Sequence, residues 1–310
     1  MKRSDTLPLG IDIGTVRTRV ALAERGADGH PRLVAVAGRP TGENAAQAIA
    51  EARAELRTHE RRCVLAVGAP DAILRAASFP AMRRTERARA ARFEAARFVA
   101  YPAHEAAVRL VETGQGHALG IARRAALEAQ AGAARRAGLR PIAVDDAALA
   151  LSRAFPHADA IVDVGERATR LIVPGLPVPA VRSLAVGGAT FTAAIAASLG
   201  LDETAAERRK HGIGLAGAGE HARDALVDEL GAALADHRAG ARTEIRSIAL
   251  AGNGSRLAGL AEAIETAVAI PVRLGELAAA TDDRLPLDVV RAASPDWGLA
   301  YGLALWDDVA

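Results

Sequence analysis

The chain has 310 residues, enough for two lobes with separate cores, and with half of them apolar and a quarter charged it is globular rather than disordered. A net charge of +2 is too slight to argue for nucleic acid, and no stretch interleaves arginine with aromatics, which make up only 3% of the residues. A single cysteine, Cys63, excludes an internal disulfide and fits a reducing compartment, while the opening MKRSDTLPLG lacks the apolar stretch of a signal peptide.

Apolar periodicity predicts strands at 7–13, 18–23, 33–38 and 64–67, with a helix at 43–59 between the third and fourth. A further strand is expected at 73–79. An arginine-rich helix at 82–102 stops before a proline, and strands at 107–112 and 118–122 are joined by a glycine turn. Helix 124–137 ends at Gly138, strand 142–144 follows, and a short helix at 146–153 has Asp near its start. The pattern then restarts: strand, glycine turn and strand in AIVDVGERATRLIV, a third strand at 181–186, and helices at 190–199, 202–210 and about 220–238. A buried strand in RSIALAG, a helix at 257–267, an edge strand in IPVRL and a small terminal helix at 299–305 complete the chain. Residues 184–201 carry no charge for 18 positions, long enough to span a membrane, but Gly-Gly, hydroxyls and small side chains argue for strand, turn and buried helix instead.

The restart is a repeat. DIGTVRTRVAL from Asp12 aligns without a gap to DVGERATRLIV from Asp163, pairing Asp12 with Asp163, Gly14 with Gly165, Thr18 with Thr169 and Arg19 with Arg170. A repeat at this distance implies two similar α/β lobes, not a solenoid. Asp is costly to bury unpaired, so its recurrence at the end of both first strands needs a cause. One is that each Asp caps its turn. The other is a phosphate and metal clamp, with turn amides facing phosphate oxygens and two carboxylates suited to Mg²⁺. The echo favours the second.

ALAGNGSRLAGLAEAI adds a glycine turn between strand and helix, with Gly252, Gly254 and Ser255, where a flat ring or phosphate can approach the backbone; the plain alternative is a serine-capped turn. Glu207 and Lys210 in AAERRK share a helix face, as a surface ion pair also would.

In this order the motifs resemble the actin, sugar-kinase and heat-shock ATPase superfamily. Within it the chain is most similar to the PilM family of type IV pilus assembly proteins, on RFEAARFVAYP, RRAGLRPIAVDDAALALSRAF, VGGATFTAAIAASLGLDETAAERRK and WGLAYGLAL. The resemblance implies an α/β actin-like ATPase fold of two ribonuclease-H-like lobes: residues 1–157, with a small α+β subdomain inserted at 82–144, residues 158–292, and a closing helix at 293–310. It implies ATP and Mg²⁺ between the lobes. Asp12 and Asp163 would position the metal; Gly14, Thr15, Arg19, Gly165 and Thr169, with Gly187 and Gly188, would hold the phosphates. Glu207 and Lys210 would lie on the ribose and adenine side, Gly252, Gly254 and Ser255 behind adenine, and Asp145 or its neighbour Asp146 would orient water. It implies a cytoplasmic adaptor, at most a weak ATPase, at the inner face of the inner membrane. A cleft beside the insert would receive the cytoplasmic N-terminal peptide of a PilN-like inner-membrane protein, the membrane being reached only through that partner. Pilus motor ATPases and self-association are further expected partners.

Three features depart from the family pattern: Glu166 in the second turn, Thr-Val-Arg in the first, and Asn253 in the adenosine loop. A carboxylate about 4 Å from a phosphate costs ~1 kcal/mol in water and about 4 at intermediate dielectric, which Arg167 or Mg²⁺ could offset. A small-molecule kinase or phosphatase and a nucleotide-independent scaffold remain the competing readings. The arginines 83, 84, 87, 89, 92 and 97 fit an acidic partner or anionic headgroups, or simply a solvated face.

Overall fold

Among the described residues, three β-sheets organise the chain. The computed structural model describes residues 5–215, 217–240, 244–277, 280–281 and 287–306. In chain order the first part holds strands β1 (Asp5–Thr6), β2 (Leu9–Ile13), β3 (Arg17–Arg25) and β4 (Pro31–Pro40), helix α1 (Ala45–Leu56), strands β5 (Arg62–Val67) and β6 (Ala72–Ala77), helix α2 (Arg84–Ala95), strands β7 (Ala106–Thr113) and β8 (Gly116–Arg123), helix α3 (Arg124–Arg136), strand β9 (Arg140–Asp146) and helix α4 (Ala147–Ala154). The second part holds strands β10 (Ala160–Val164), β11 (Thr169–Val173) and β12 (Ala180–Leu184), helices α5 (Gly188–Leu199), α6 (Glu203–Ile213) and α7 (Glu220–Gly240), strand β13 (Ile248–Ala251), helix α8 (Leu260–Val268), strands β14 (Val272–Leu274) and β15 (Ala280–Thr281), and helix α9 (Leu287–Ala304).

The repeat in the sequence is a repeat of topology. The larger sheet runs β4-β3-β2-β5-β9 and the second β12-β11-β10-β13-β14, each with two antiparallel followed by two parallel pairings. β15 extends the first sheet beyond β4, and β1 pairs with β3. The third sheet, β6-β8-β7, is the small inserted unit; its first strand lies upstream of the expected start at Met82. It packs Leu119 and Ile121 against Ala91 and Ala95 of α2.

Helices cover the sheet faces because their apolar sides have nowhere else to go. Ile49 and Leu56 of α1 and Ala134 of α3 seal one face of the first sheet on Leu9, Ile11 and Leu65. Leu226 and Leu230 of α7 and Ile264 of α8 do the same for Val162 and Leu250 in the second. Between the sheets lie α4 and α9, whose Leu151 and Tyr301 share a core with Ala21, Ile161 and Ile172. Small residues let α9 come in close. A Cβ on Gly10 would stand 1.8 Å from the Ala300 carbonyl oxygen, and one on Gly302 1.9 Å from that of Ala150.

α9 begins well before the expected 299–305 helix, because Pro295 reads as a breaker yet lies inside it. Its carbonyl accepts the Gly252 amide at 2.8 Å, tying the helix to the second lobe. The 257–267 helix starts instead at Leu260, since Leu257 is extended and Gly259 takes φ 78°; a 3-10 turn at Asn253–Arg256 precedes it. Residues 184–201 end β12, turn and form α5; among the described residues no helix is long and apolar enough to cross a membrane.

Candidate functional site

Both hairpins are built alike. Asp12 sits opposite Arg19 across β2–β3, and Asp163 opposite Arg170 across β10–β11. The Gly14 amide donates to the Arg17 carbonyl at 3.2 Å, and the Gly165 amide to the Ala168 carbonyl at 3.1 Å. Behind each turn a buried threonine reaches the linker to the next helix. Thr18 shares a 3.0 Å hydroxyl contact with Thr41, and Thr169 donates to the Val186 carbonyl at 2.7 Å.

The cross-strand arginines explain how two carboxylates are tolerated in strands. Arg170 holds Asp163 at 2.8 Å and Arg19 holds Asp12 at 3.5 Å. Burial raises the Asp12 pKa above the ordinary carboxyl value; Arg19 opposes this, the nearby Asp163 charge adds to it, and Arg170 lowers it. Arg19, only 6% exposed, also donates to the Asn253 side chain and lies 5.9 Å from the Trp297 ring centroid. It thereby joins the first hairpin to the adenosine-type loop and to α9.

The two turns open on a shared cleft of about 480 Å³. Of the expected site residues, Asp12, Gly14, Thr15, Arg19, Asp163, Gly165 and Gly252 line it, together with Glu166, Arg167 and Asn253. Gly252 has φ 78°, and a Cβ there would lie 2.6 Å from Asp163 Oδ1, so glycine is required for the loop to reach the carboxylate.

Other expected residues stand behind this surface. Gly187 and Gly188 back the second turn: the Gly188 and Ala189 amides donate to the Gly165 and Glu166 carbonyls at 2.9 and 2.8 Å. The Glu166 carboxylate folds over Gly188 at the N-terminus of α5, where a negative charge is favoured. Lys210 is buried and gives hydrogen bonds to the Gly188 carbonyl at 3.0 Å, Thr192 at 2.8 Å and Glu207 at 2.7 Å, fastening α6 to α5. Gly254 packs on Val164, and the Ser255 hydroxyl caps its own turn by donating to the Gly252 carbonyl at 2.6 Å. Asp145 is bound by Arg153 and accepts the Asp146 amide at 2.9 Å; Asp146 caps α4 through the Ala148 amide at 2.8 Å. Neither lines the cleft. Both border a second groove of about 460 Å³, apolar, between the small sheet and the first lobe, with Leu74, Val111, Val144, Leu149 and Leu176 in its walls.

The family described as type IV pilus assembly protein PilM matches residues 10–307. The chain belongs to the PilM family. Among solved structures, this PilM-family chain is similar to one from a PilM-PilN type IV pilus biogenesis complex, at TM-score 0.81 and 29% identity over 96% of this chain and 97% of that one. Ethanolamine utilization protein EutJ from Carboxydothermus hydrogenoformans shares the fold at TM-score 0.59 and 14% identity, over 97% of this chain and 90% of that one. So does a Bacteroides thetaiotaomicron protein with an actin-like ATPase fold and unknown function, at TM-score 0.50 and 8% identity, over 97% and 96% of the two chains. The fold is therefore actin-like. No curated protein sequence gives a match.

Sequence reasoning missed Arg170 as a member of the PilM-family cleft, although the repeat aligned it with Arg19. It also passed over Asp296, which lines the cleft, pairs with Arg256 at 3.5 Å and has its carboxyl pushed up by burial against the pull of Arg256, Arg19 and Arg17. The isolated stretch PDW carries no signal for that role.

Proposed function

We propose that this PilM-family protein is an ATP-binding adaptor of type IV pilus assembly, working at the cytoplasmic face of the inner membrane. The observation that carries the reading is the cleft between the lobes, where the two glycine turns converge with the Asp12–Arg19 and Asp163–Arg170 pairs. Arg19 would exchange Asp12 for phosphate oxygens, with which a guanidinium pairs bidentately, while Arg170 keeps Asp163. Among the described residues no three His, Cys, Asp or Glu side chains form a metal cluster, so Mg²⁺ would arrive with the phosphates. The donor set fits it at Asp12, a partly exposed carboxylate that Arg19 approaches only to 3.5 Å; Asp163 is tightly held by Arg170 and would act through water. When bound, the ion would neutralise phosphate charge. Asp145, paired with Arg153 outside the cleft, supports slow hydrolysis at most.

The apolar groove beside the small sheet would take the cytoplasmic N-terminal peptide of a PilN-like protein. A nucleotide-independent scaffold is the second reading, favoured by Glu166 in the second turn.

Mg-ATP at about 100 times its dissociation constant should add ~2.7 kcal/mol of stability, read as a rise in melting temperature, and Asp12→Ala should abolish the rise. No shift in the wild type overturns nucleotide binding. An equal shift in the variant overturns the role of Asp12. Leu176→Asp, at a site 66% exposed, should lose capture of a PilN-like tail while folding normally.

A further inference from the structure

On the α2 side of the small sheet, α2 and β7 enclose a further groove of about 540 Å³, which meets the apolar groove at Val108, Arg109 and Val111. Among the described residues β7 is an edge strand with β8 as its one sheet neighbour, so along Val108–Leu110–Glu112 the outer backbone groups face the groove. The groove is also strongly cationic. Arg84, Arg87, Arg92, Arg109 and His117 line it, against one acid, Glu112. Glu112 is already taken by Arg87 at 3.5 Å, and Arg87 also meets His117 at 3.1 Å. Among the described residues Arg84, Arg92 and Arg109 have no carboxylate within ion-pair distance, and the buried Nε of Arg87 has no hydrogen-bond partner. The arginine run, which from sequence fits an acidic partner, anionic headgroups or a solvated face, is thus set beside a strand edge unpaired among the described residues.

We propose that this edge receives an acidic, extended segment of a partner protein as a fourth strand. An open strand edge pairs readily with another chain unless it is covered or charged against it, and here the charge selects the sign of the newcomer. Strand addition satisfies the β7 amides and carbonyls, and the period-two alternation of the added strand turns every second side chain toward α2. Carboxylates at those positions meet Arg84, Arg87 and Arg92. Val108, Arg109 and Val111 line this groove and the apolar one alike, so an added strand would lie beside any occupant of the apolar groove along β7. A bilayer surface would use the arginines and the exposed Phe93 of α2 but would leave the strand edge unpaired.

The test is fluorescence anisotropy of the full chain with a labelled peptide, Glu-Val-Glu-Val-Glu-Val-Glu. Binding is expected at low salt, weakening at about 0.3 M as surface charges are screened. The double variant Arg84→Glu, Arg92→Glu should bind at least roughly tenfold more weakly, about 1.4 kcal/mol, with its circular dichroism unchanged. A lysine-for-glutamate peptide, and one N-methylated along one edge, should not bind. Absence of binding, or equal binding of the N-methylated peptide, overturns strand addition. So does binding of the chain to phosphatidylglycerol vesicles without binding of the peptide, which would assign the arginines to a membrane.

Discussion

The two hairpins share sequence frame, register and turn closure, yet they meet different neighbours. The tip of the first turn, Thr15, Val16 and Arg17, is exposed. Its linker partner is Thr41, whose hydroxyl donates to the Gly14 carbonyl at 2.7 Å and whose amide donates to the Val16 carbonyl at 2.9 Å. The second turn is pressed against the N-terminus of α5 and spends two carbonyls on that helix. Its aspartate is more deeply buried and more closely paired. A repeated sequence therefore fixes the local hairpin, while what packs behind it decides how much of the turn stays free for a ligand.

The largest way to break the contrast is at the linker. Gly187 needs the absence of a side chain: a Cβ there would come within 2.6–2.8 Å of Ala168 N, Glu166 O and the Arg167 carbonyl carbon. Gly187→Val should cost about 3 kcal/mol, the upper end of what forced overpacking costs. Thr41, its counterpart, needs its side chain, and Thr41→Ala should cost about 1 kcal/mol through the lost hydrogen bonds. Urea midpoints compare the two directly.

The hairpin architecture was legible because it depends on nearest neighbours along the chain. The alignment of Asp12 with Asp163 predicted two alike strand–turn–strand units and, with them, two similar lobes; the registers that set Asp12 opposite Arg19 and Asp163 opposite Arg170 are seen in the structure. Interactions that depend on distant packing were not legible. Glu207 and Lys210 at i, i+3 suggest ligand contacts as readily as a surface pair; only the approach of α5 assigns Lys210 to the Gly188 carbonyl. Pro295 hides most of α9, since a proline ends a helix by local rules and the compensating bond comes from Gly252. The pairing of Asp12 and Asp163 with Arg19 and Arg170 follows from the strand register, whereas an arginine beside a glycine turn fits a phosphate contact equally well.

A second, smaller effect loosens only the backing of the second turn. Lys210→Met should cost about 2 kcal/mol by leaving polar groups of α5 and α6 short of a partner. It carries a pH signature. Burial disfavours the Glu207 charge, but hydrogen bonds from Lys210 and Thr192 and the charges of Lys210 and His211 outweigh it and hold the carboxyl below its ordinary value. A lowered folded-state value gives stability that is present above the unfolded-state value and lost as pH falls through the folded one. The wild type should lose this increment on acidification, and Lys210→Met, lacking the main partner, should show a shallower acid limb in denaturation midpoints followed against pH.

The smallest effect is the sharpest, because it sets the two aspartates against each other. Asp163→Asn weakens a 2.8 Å pair in a nearly closed environment and should destabilise the nucleotide-free protein by about 1 kcal/mol, the scale of a charge-assisted bond partly replaced by a neutral one. Asp12→Asn should do the opposite. The folded protein raises the Asp12 pKa, chiefly by burial, so the ionised form is disfavoured there relative to the unfolded chain. The favourable contribution of that carboxyl is complete below its unfolded-state value and is lost as pH rises through the folded one. At neutral pH, removing the charge should therefore leave the variant as stable as the wild type or more so, with the difference closing on acidification. Equal destabilisation by both substitutions would mean that the two pairs are equivalent, and the first turn would then have no special claim to be the half of the cleft that waits for a cation.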